Sequence, residues 1–531
     1  MDATVNQKEY KSPIRKLVVF FEKSRDRWKD KYIGAKADVK RLKNKVRFLV
    51  ESKNALKQRL KVLESEMNQL RSQKQEMESE ALKKKDDLIP KQITCSTDAF
   101  DVIAPYHSYS IGHIFLYLSL VLYASAGLRC SSRVIQMVLE FFAIDEDSPS
   151  WTCGRLWLLR LGYYKLTKPK EKASDWVWIV DHTIQIGVEK CFVILGVRLS
   201  CLPAPGQCIR HEDVEPIVLQ PVKKSDGDVV WQQLEDATAI TGVPREILGD
   251  HGSDLIAGVN KFCQNHPETC SIYDIKHKTA AILKREFKDN EEWLNFSQLS
   301  SQTANKVRQT NLAFLCPPNQ RSKSRYMNID VLVCWGSKTL SYLDREPEAG
   351  IDPEVVEQKL GWLMGYRKQL GEWEEILSIT GETESFVRNK GICRGCDLEL
   401  SKILKPLVQT EQSNRICSEL LFFVESESLK AKHNERLPGS SEVIESIFGK
   451  LKYLEKSQST NGFTGLILSI AAMVAKNTRD IVQNAIETVR TKDVLKWCRE
   501  MLGESVQAKR KKAFSDEKKT EQKWDQVGEA V

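Results

Sequence analysis

"DWVWIVDHTIQIG", Asp175 to Gly187, decides how this chain is read. Trp176 to Val180 is an unbroken apolar run, and it ends in Asp181. A carboxylate at the end of so hydrophobic a run is costly unless a partner compensates it. The run reads as a strand. "KCFVILGVRLSCL", Lys190 to Leu202, reads as a second strand after a short polar connection, so a hairpin is expected. Asp181 then faces either a structural partner or a metal ion.

Two further acids bear on that choice. "DVVWQQLEDATAITG" (Asp228 to Gly242) has a helical pattern, "PREILGDHGSDLIAGVNKFCQ" (Pro244 to Gln264) reads as strand, turn and helix, and "CSIYDIKHK" (Cys270 to Lys278) reads as another strand. Strands and helices in that order make an α/β layer. Asp250 ends the strand in "EILGDHG", and His251 and Gly252 turn the chain there. Ligand sites of α/β sheets collect at such edges. Asp254, at the start of the next helix, is expected to serve as a cap. In "SSEVIESIFGKLKYLEK" (Ser440 to Lys456), Val443, Ile444, Ile447, Phe448 and Leu451 mark an amphipathic helix. Glu445 stands among them, an odd place for a charge without a partner, and Lys452 lies further along the same face. Glu442 is its competitor.

Outward from this layer, 531 residues suffice for several domains. A hydrophobic fraction of 41% supports a core, and a net charge of +8 fits a phosphate-bearing partner without demanding one. The 14 cysteines are scattered and the N-terminal residues are polar, so reduced thiols in a cytosolic protein are expected. Between about residues 35 and 85, Leu42, Leu49, Leu56, Leu63 and Leu70 recur every seven residues, with Val39, Val46, Lys53, Leu60 and Met67 on the second seam. That heptad predicts a coiled coil and a homodimer through it. "SIGHIFLYLSLVLYASAGL" (Ser110 to Leu128) is nearly long enough to span a bilayer, but it carries His113 and several hydroxyls and reads as a buried helix. No membrane is expected. "SSRVIQMVLEFFAI" and the helix starting near Trp151, joined by a turn rich in Asp, Ser and Pro, have helix-turn-helix character. The second helix would offer Trp151, Thr152 and Arg155 to a DNA groove.

"IVDHT", "ILGDHG" and "VIESIFGKLK" together resemble the three signature regions of DDE transposases of bacterial insertion sequences. The resemblance covers roughly Trp176 to Ala475. Glu445 and Lys452 have the spacing of the Glu and Lys in a Tyr-Arg-Glu-Lys signature, whereas Ser441 and Pro438 stand at its Arg and Tyr positions. The resemblance implies an RNase H-like catalytic core that cuts and joins DNA with two Mg²⁺ ions, Mn²⁺ being able to substitute. Asp181 would lie between the metals, Asp250 and Glu445 would each hold one, and Lys452 would meet a phosphate near the cut. Partners would be transposon ends and target DNA, and the location the cytoplasm, on the nucleoid.

The expected fold class is therefore α+β and multidomain: an N-terminal helix and coiled coil (1–90), a helix-turn-helix domain (91–170) and the first part of the core (171–280). A mostly helical insertion (281–430), the final core helices carrying Glu445 (431–505) and a charged, disordered tail (506–531) would follow. Inside the insertion, "PPNQRSKSRYMN" offers Arg321, Lys323 and Arg325 to phosphates. Cys393 and Cys396 have C-x-x-C spacing, and zinc there would need two more ligands, with Cys417 and His433 as candidates. The rival enzymatic reading is a metal nuclease that cuts without joining. The rival without catalysis is a coiled-coil DNA-binding regulator or a domesticated, inactive transposase.

Overall fold

The computed structural model describes residues 13, 16, 18–29, 32, 36, 43, 102–144, 146–186, 189–319, 329–345, 352–456, 464–503 and 509–514. The chain divides into two units, 1–95 and 96–531. In the first, residues 18–29 are helical, and the heptad positions Leu42 to Leu70 lie outside the described residues. Arg321, Lys323 and Arg325 do too, as does most of the tail, where 509–514 are helical.

The second unit is mostly helical around one small mixed sheet. Its first helices are α1 (Ile111–Leu122), α2 (Leu128–Phe141) and α3 (Trp151–Thr167). The sheet region follows: β1 (Trp176–Ile186), β2 (Glu189–Arg198), β3 (Glu215–Val222), α4 (Gly227–Thr241), β4 (Glu246–Gly249), α5 (Ser253–Asn265) and β5 (Cys270–Tyr273). After α6 (Ile275–Phe287) come α7 (Glu291–Val307), α8 (Ile329–Leu343), α9 (Pro353–Leu360), α10 (Arg367–Lys390), α11 (Cys396–Leu404) and α12 (Glu411–Ser428). The chain then returns to the sheet with α13 (Glu442–Lys456) and closes with α14 (Leu468–Met473), α15 (Arg479–Thr488) and α16 (Thr491–Leu502).

The strand order is β3-β2-β1-β4-β5. β1 pairs antiparallel with β2 and parallel with β4, β2 pairs antiparallel with β3, and β4 pairs parallel with β5. The expected hairpin is present. β3 has no counterpart in the sequence reading, because Pro216 and Pro221 interrupt its pattern. Proline cannot donate to a ladder, but at the edge of a sheet one side of the strand needs no donor. The strand expected over Cys270 to Lys278 stops at Tyr273; Asp274 then caps α6, its side chain accepting from the His277 amide.

Side chains alternate across β1. Trp176, Trp178 and Val180 join Phe192, Ile194 and Ile247 in a core closed by Val230 and Leu234 of α4 and Leu255, Val259 and Phe262 of α5. Val177 and Ile179 face the opposite way, into a larger core shared with Ile444, Ile447 and Leu451 of α13 and the buried run of α14. That alternation puts Asp181 on the α13 side of the sheet.

The segment tested for a membrane span folds as α1, a helix of 12 residues with eight buried. Among the described residues no helix is long and apolar enough to cross a membrane. α2 starts at Leu128, and α3 starts at Trp151 with the Ser150 side chain accepting from Cys153 N. α3 is a core helix along most of its length. A Cβ added at Gly162 would lie 2.0 Å from the Leu468 carbonyl oxygen, so only glycine permits this crossing with α14. Lys165, buried beside it, donates to the carbonyls of Ala472, Val474 and Ala475.

Candidate active site

Asp181 sits where a neighbouring strand runs out. The β1–β4 register ends with Val180 opposite Gly249, while on the other side Asp181 is still paired with Val193 of β2. The strand therefore continues through Asp181, contrary to expectation; what ends there is β4. Asp250 follows Gly249 directly, at the same edge. A Cβ at position 249 would meet Val180 Cγ2 and the Val180 oxygen at 2.9 Å, so glycine lets the two acid-bearing strands approach. Asp250 accepts from the Gly252 amide at 3.2 Å, and Asp181 from the His182 amide at 2.6 Å.

Burial raises the Asp181 carboxyl, and the negative charges of Asp250 and Glu445 raise it further, to about 7. The structure thus brings into one electrostatic neighbourhood three acids that are far apart in sequence. Among the described residues neither Asp181 nor Asp250 forms an ion pair, whereas nearby acids do. Asp254 is one of those: it sits inside α5 rather than capping it, bonds Lys190 at 2.7 Å, and is held at about 2 despite burial, chiefly by bonds to Lys190 and Ser225.

Glu445 approaches from the first turn of α13. It accepts from Lys276 Nζ at 3.3 Å and contacts His277 Nε2 at 3.2 Å, both on α6. Burial opposes its charge, but the His277 bond and the Lys276 charge bring its carboxyl below the usual range. His277 responds in kind. Burial disfavours its cation, yet the Glu445 bond and the charges of Asp274, Asp250 and Glu445 push it up to about 9. The sequence reading missed Lys276 and His277 because it carried a strand through them. The usable signal was Asp274, a good cap ahead of a helical run.

Ligand atoms of Asp274, His277 and Glu445 all lie within 4.8 Å of one another, and this carboxylate–histidine cluster could hold a metal ion. Its members are partly engaged: the Asp274 carboxylate accepts from the Ser441 amide at 2.7 Å and the His277 amide at 3.0 Å, and His277 would first have to lose its proton. The donors at Asp181, Asp250 and Glu445 are hard carboxylate oxygens, the ligand type that suits Mg²⁺ or Mn²⁺. Among the described residues no group of three potential ligands includes Cys393, Cys396, Cys417 or His433.

The other sequence candidates are dispersed. Lys452 is exposed on α13. Glu442 turns away from Glu445, pairs with Arg388 at 3.2 Å and lines a separate cleft of about 380 Å³. Trp151 and Thr152 are exposed at the start of α3, with the Arg129 guanidinium 5.2 Å from the Trp151 ring. Arg155 does not share that exposure; it is half-buried beside Cys498 and Gly465.

No protein-family profile matches the chain, and no curated protein does. Among solved structures, the Drosophila P element transposase strand transfer complex overlaps 72% of this chain and 93% of its own, with 12% sequence identity and a TM-score of 0.31. A likeness that distant assigns nothing to this chain.

Proposed function

We propose that this chain is a DNA transposase that cuts and joins DNA ends at Asp181, Asp250 and Glu445, of the DDE class its motifs resemble. The observation that carries the reading is the gathering of three acids: Asp181 and Asp250 leave adjacent strands at one sheet edge, and Glu445 on α13 is close enough for its charge, with that of Asp250, to raise the Asp181 carboxyl. Strongly perturbed carboxyls gathered at a sheet edge favour a functional role. The strand order, with α13 lying over β1, is what an RNase H-like core would require.

Asp181, Asp250 and Glu445 would hold the divalent ions. Mg²⁺ bound there would supply Lewis-acid polarisation of the phosphate and a more nucleophilic attacking oxygen. Lys276 and His277 hold Glu445 in place, and Lys452 offers a cation to the DNA backbone. The reaction is two in-line displacements at phosphorus: water attacks first, and the freed 3′-hydroxyl then attacks target DNA. No covalent enzyme intermediate is involved.

The test is cleavage and joining with Mg²⁺ on DNA that flanks the gene, for the wild type and for Asp181→Ala, Asp250→Ala and Glu445→Ala. Wild-type cutting and joining, with three variants that bind but stay inert, supports the reading. Cutting without joining moves it to a nuclease. Binding without cutting moves it to a regulator.

A further inference from the structure

Next to Asp250 the chain places an aromatic ledge for which the cutting chemistry has no use. The His251 ring lies flat on Tyr273, with centroids 3.7 Å apart and planes 7° from parallel. Tyr273 ends β5 and is paired in register with Gly249, so the stacked rings occupy the same sheet edge as Asp250. Phe423 of α12 meets Tyr273 edge-on, with centroids 6.1 Å apart. Tyr273 is thus wedged between the insertion and the exposed imidazole. Ion pairs rim the ledge: Lys278 Nζ, 5.7 Å from the Phe423 ring centroid, pairs with Glu419 at 2.7 Å, and Lys430 Nζ pairs with Glu427 at 2.7 Å and donates to the Ser271 carbonyl at 2.7 Å.

His251 itself is exposed, and its side chain makes no hydrogen bond among the described residues. Stacking alone fixes its ring, with one face against Tyr273 and the other facing outward. A flat ring held by a stacked neighbour, with its other face open, is an arrangement on which unpaired bases stack, and it suits any base because every base has a π-face.

We propose that the outer face of His251 receives an unpaired base of the DNA, beside the phosphate presented to the acids. Resting on the DNA-cutting reading above, this names a substrate class: DNA with an unstacked nucleotide at the cleavage position. Unstacking a nucleotide costs a few kcal/mol in intact duplex and least where pairing is already broken, so such DNA is favoured.

The experiment compares two fluorescent DNAs in Ca²⁺, one a fully paired duplex and the other the same duplex with a short run of unpaired thymines. Anisotropy titrations use the full chain as wild type, His251→Ala and His251→Phe. The expected result is tighter binding of the unpaired DNA by the wild type, and a loss of about tenfold for His251→Ala on that DNA alone. His251→Phe, which keeps a flat ring, should restore it. Equal losses on both DNAs, or none on the unpaired one, overturn the platform and leave the cutting reading standing. A wild type that binds neither DNA overturns the cutting reading itself.

Discussion

The acid cluster has two banks, and they are built on opposite principles. On the sheet bank, Asp181 and Asp250 lie at a strand edge without an ion-pair partner, and Asp181 rises to about 7. On the helix bank, Glu445 is met by Lys276 and His277, and its carboxyl falls below the usual range. The difference teaches which bank would gain more from an added cation. A carboxylate already matched by protein cations gains little from another, whereas one kept unmatched in a buried setting gains most.

Removing the sheet bank should have the largest effect. Asp181→Ala or Asp250→Ala is expected to lower strand cleavage by about a thousandfold or more, the several kcal/mol that metal-assisted displacement supplies. Gel assays of end cleavage check this, and an active Asp181→Ala would break the comparison. On the helix bank His277→Ala should cost less, about 10–100-fold in activity or in Mg²⁺ requirement, as for residues that orient a metal ligand. A loss as large as that of Asp181→Ala would make His277 a direct participant and erase the distinction between the banks.

Stability against pH separates the banks further. In metal-free protein Asp181 is raised from 3.8 to about 7, so the fold binds the extra proton. Its contribution is complete below the unfolded value and is lost as pH rises through about 7. His277, raised from 6.5 to about 9, contributes fully below 6.5 and loses that as pH climbs through about 9. Melting temperatures measured across pH should therefore fall in two windows. Asp181→Asn should flatten the lower window and His277→Ala the upper, and Mg²⁺ should raise the melting temperature above pH 7. The smallest effect belongs to Thr152→Ala at the exposed end of α3, expected within about 0.5 kcal/mol of wild-type stability in denaturant titrations.

What the sequence made legible was the part written in short periods. The apolar runs of β1 and β2, the strand–turn–helix around Asp250 and the helical spacing around Glu445 all carry local patterns, and each is present. β3 was hidden because its prolines are tolerated only by its edge position, a tertiary fact. The extent of α3 was legible but its packing was not: a Gly and a Lys on an apolar helix say nothing of the Leu468 and Ala472 carbonyls they meet. Within the candidate site, the acids could be singled out one by one because each interrupts an apolar pattern. Lys276 and His277 could not, because their meaning lies in Glu445, which reaches them from beyond the insertion.

That long return of α13 to the sheet has a consequence for the order of synthesis. Asp181, Asp250 and the strands that carry them leave the ribosome well before Glu445, and domains generally fold from the N-terminal side as they emerge. The sheet can therefore form while the cluster still lacks its third acid. A chain interrupted within the insertion would keep the edge bearing two carboxylates but not the helix that brings the third, so it would be released with the cluster incomplete.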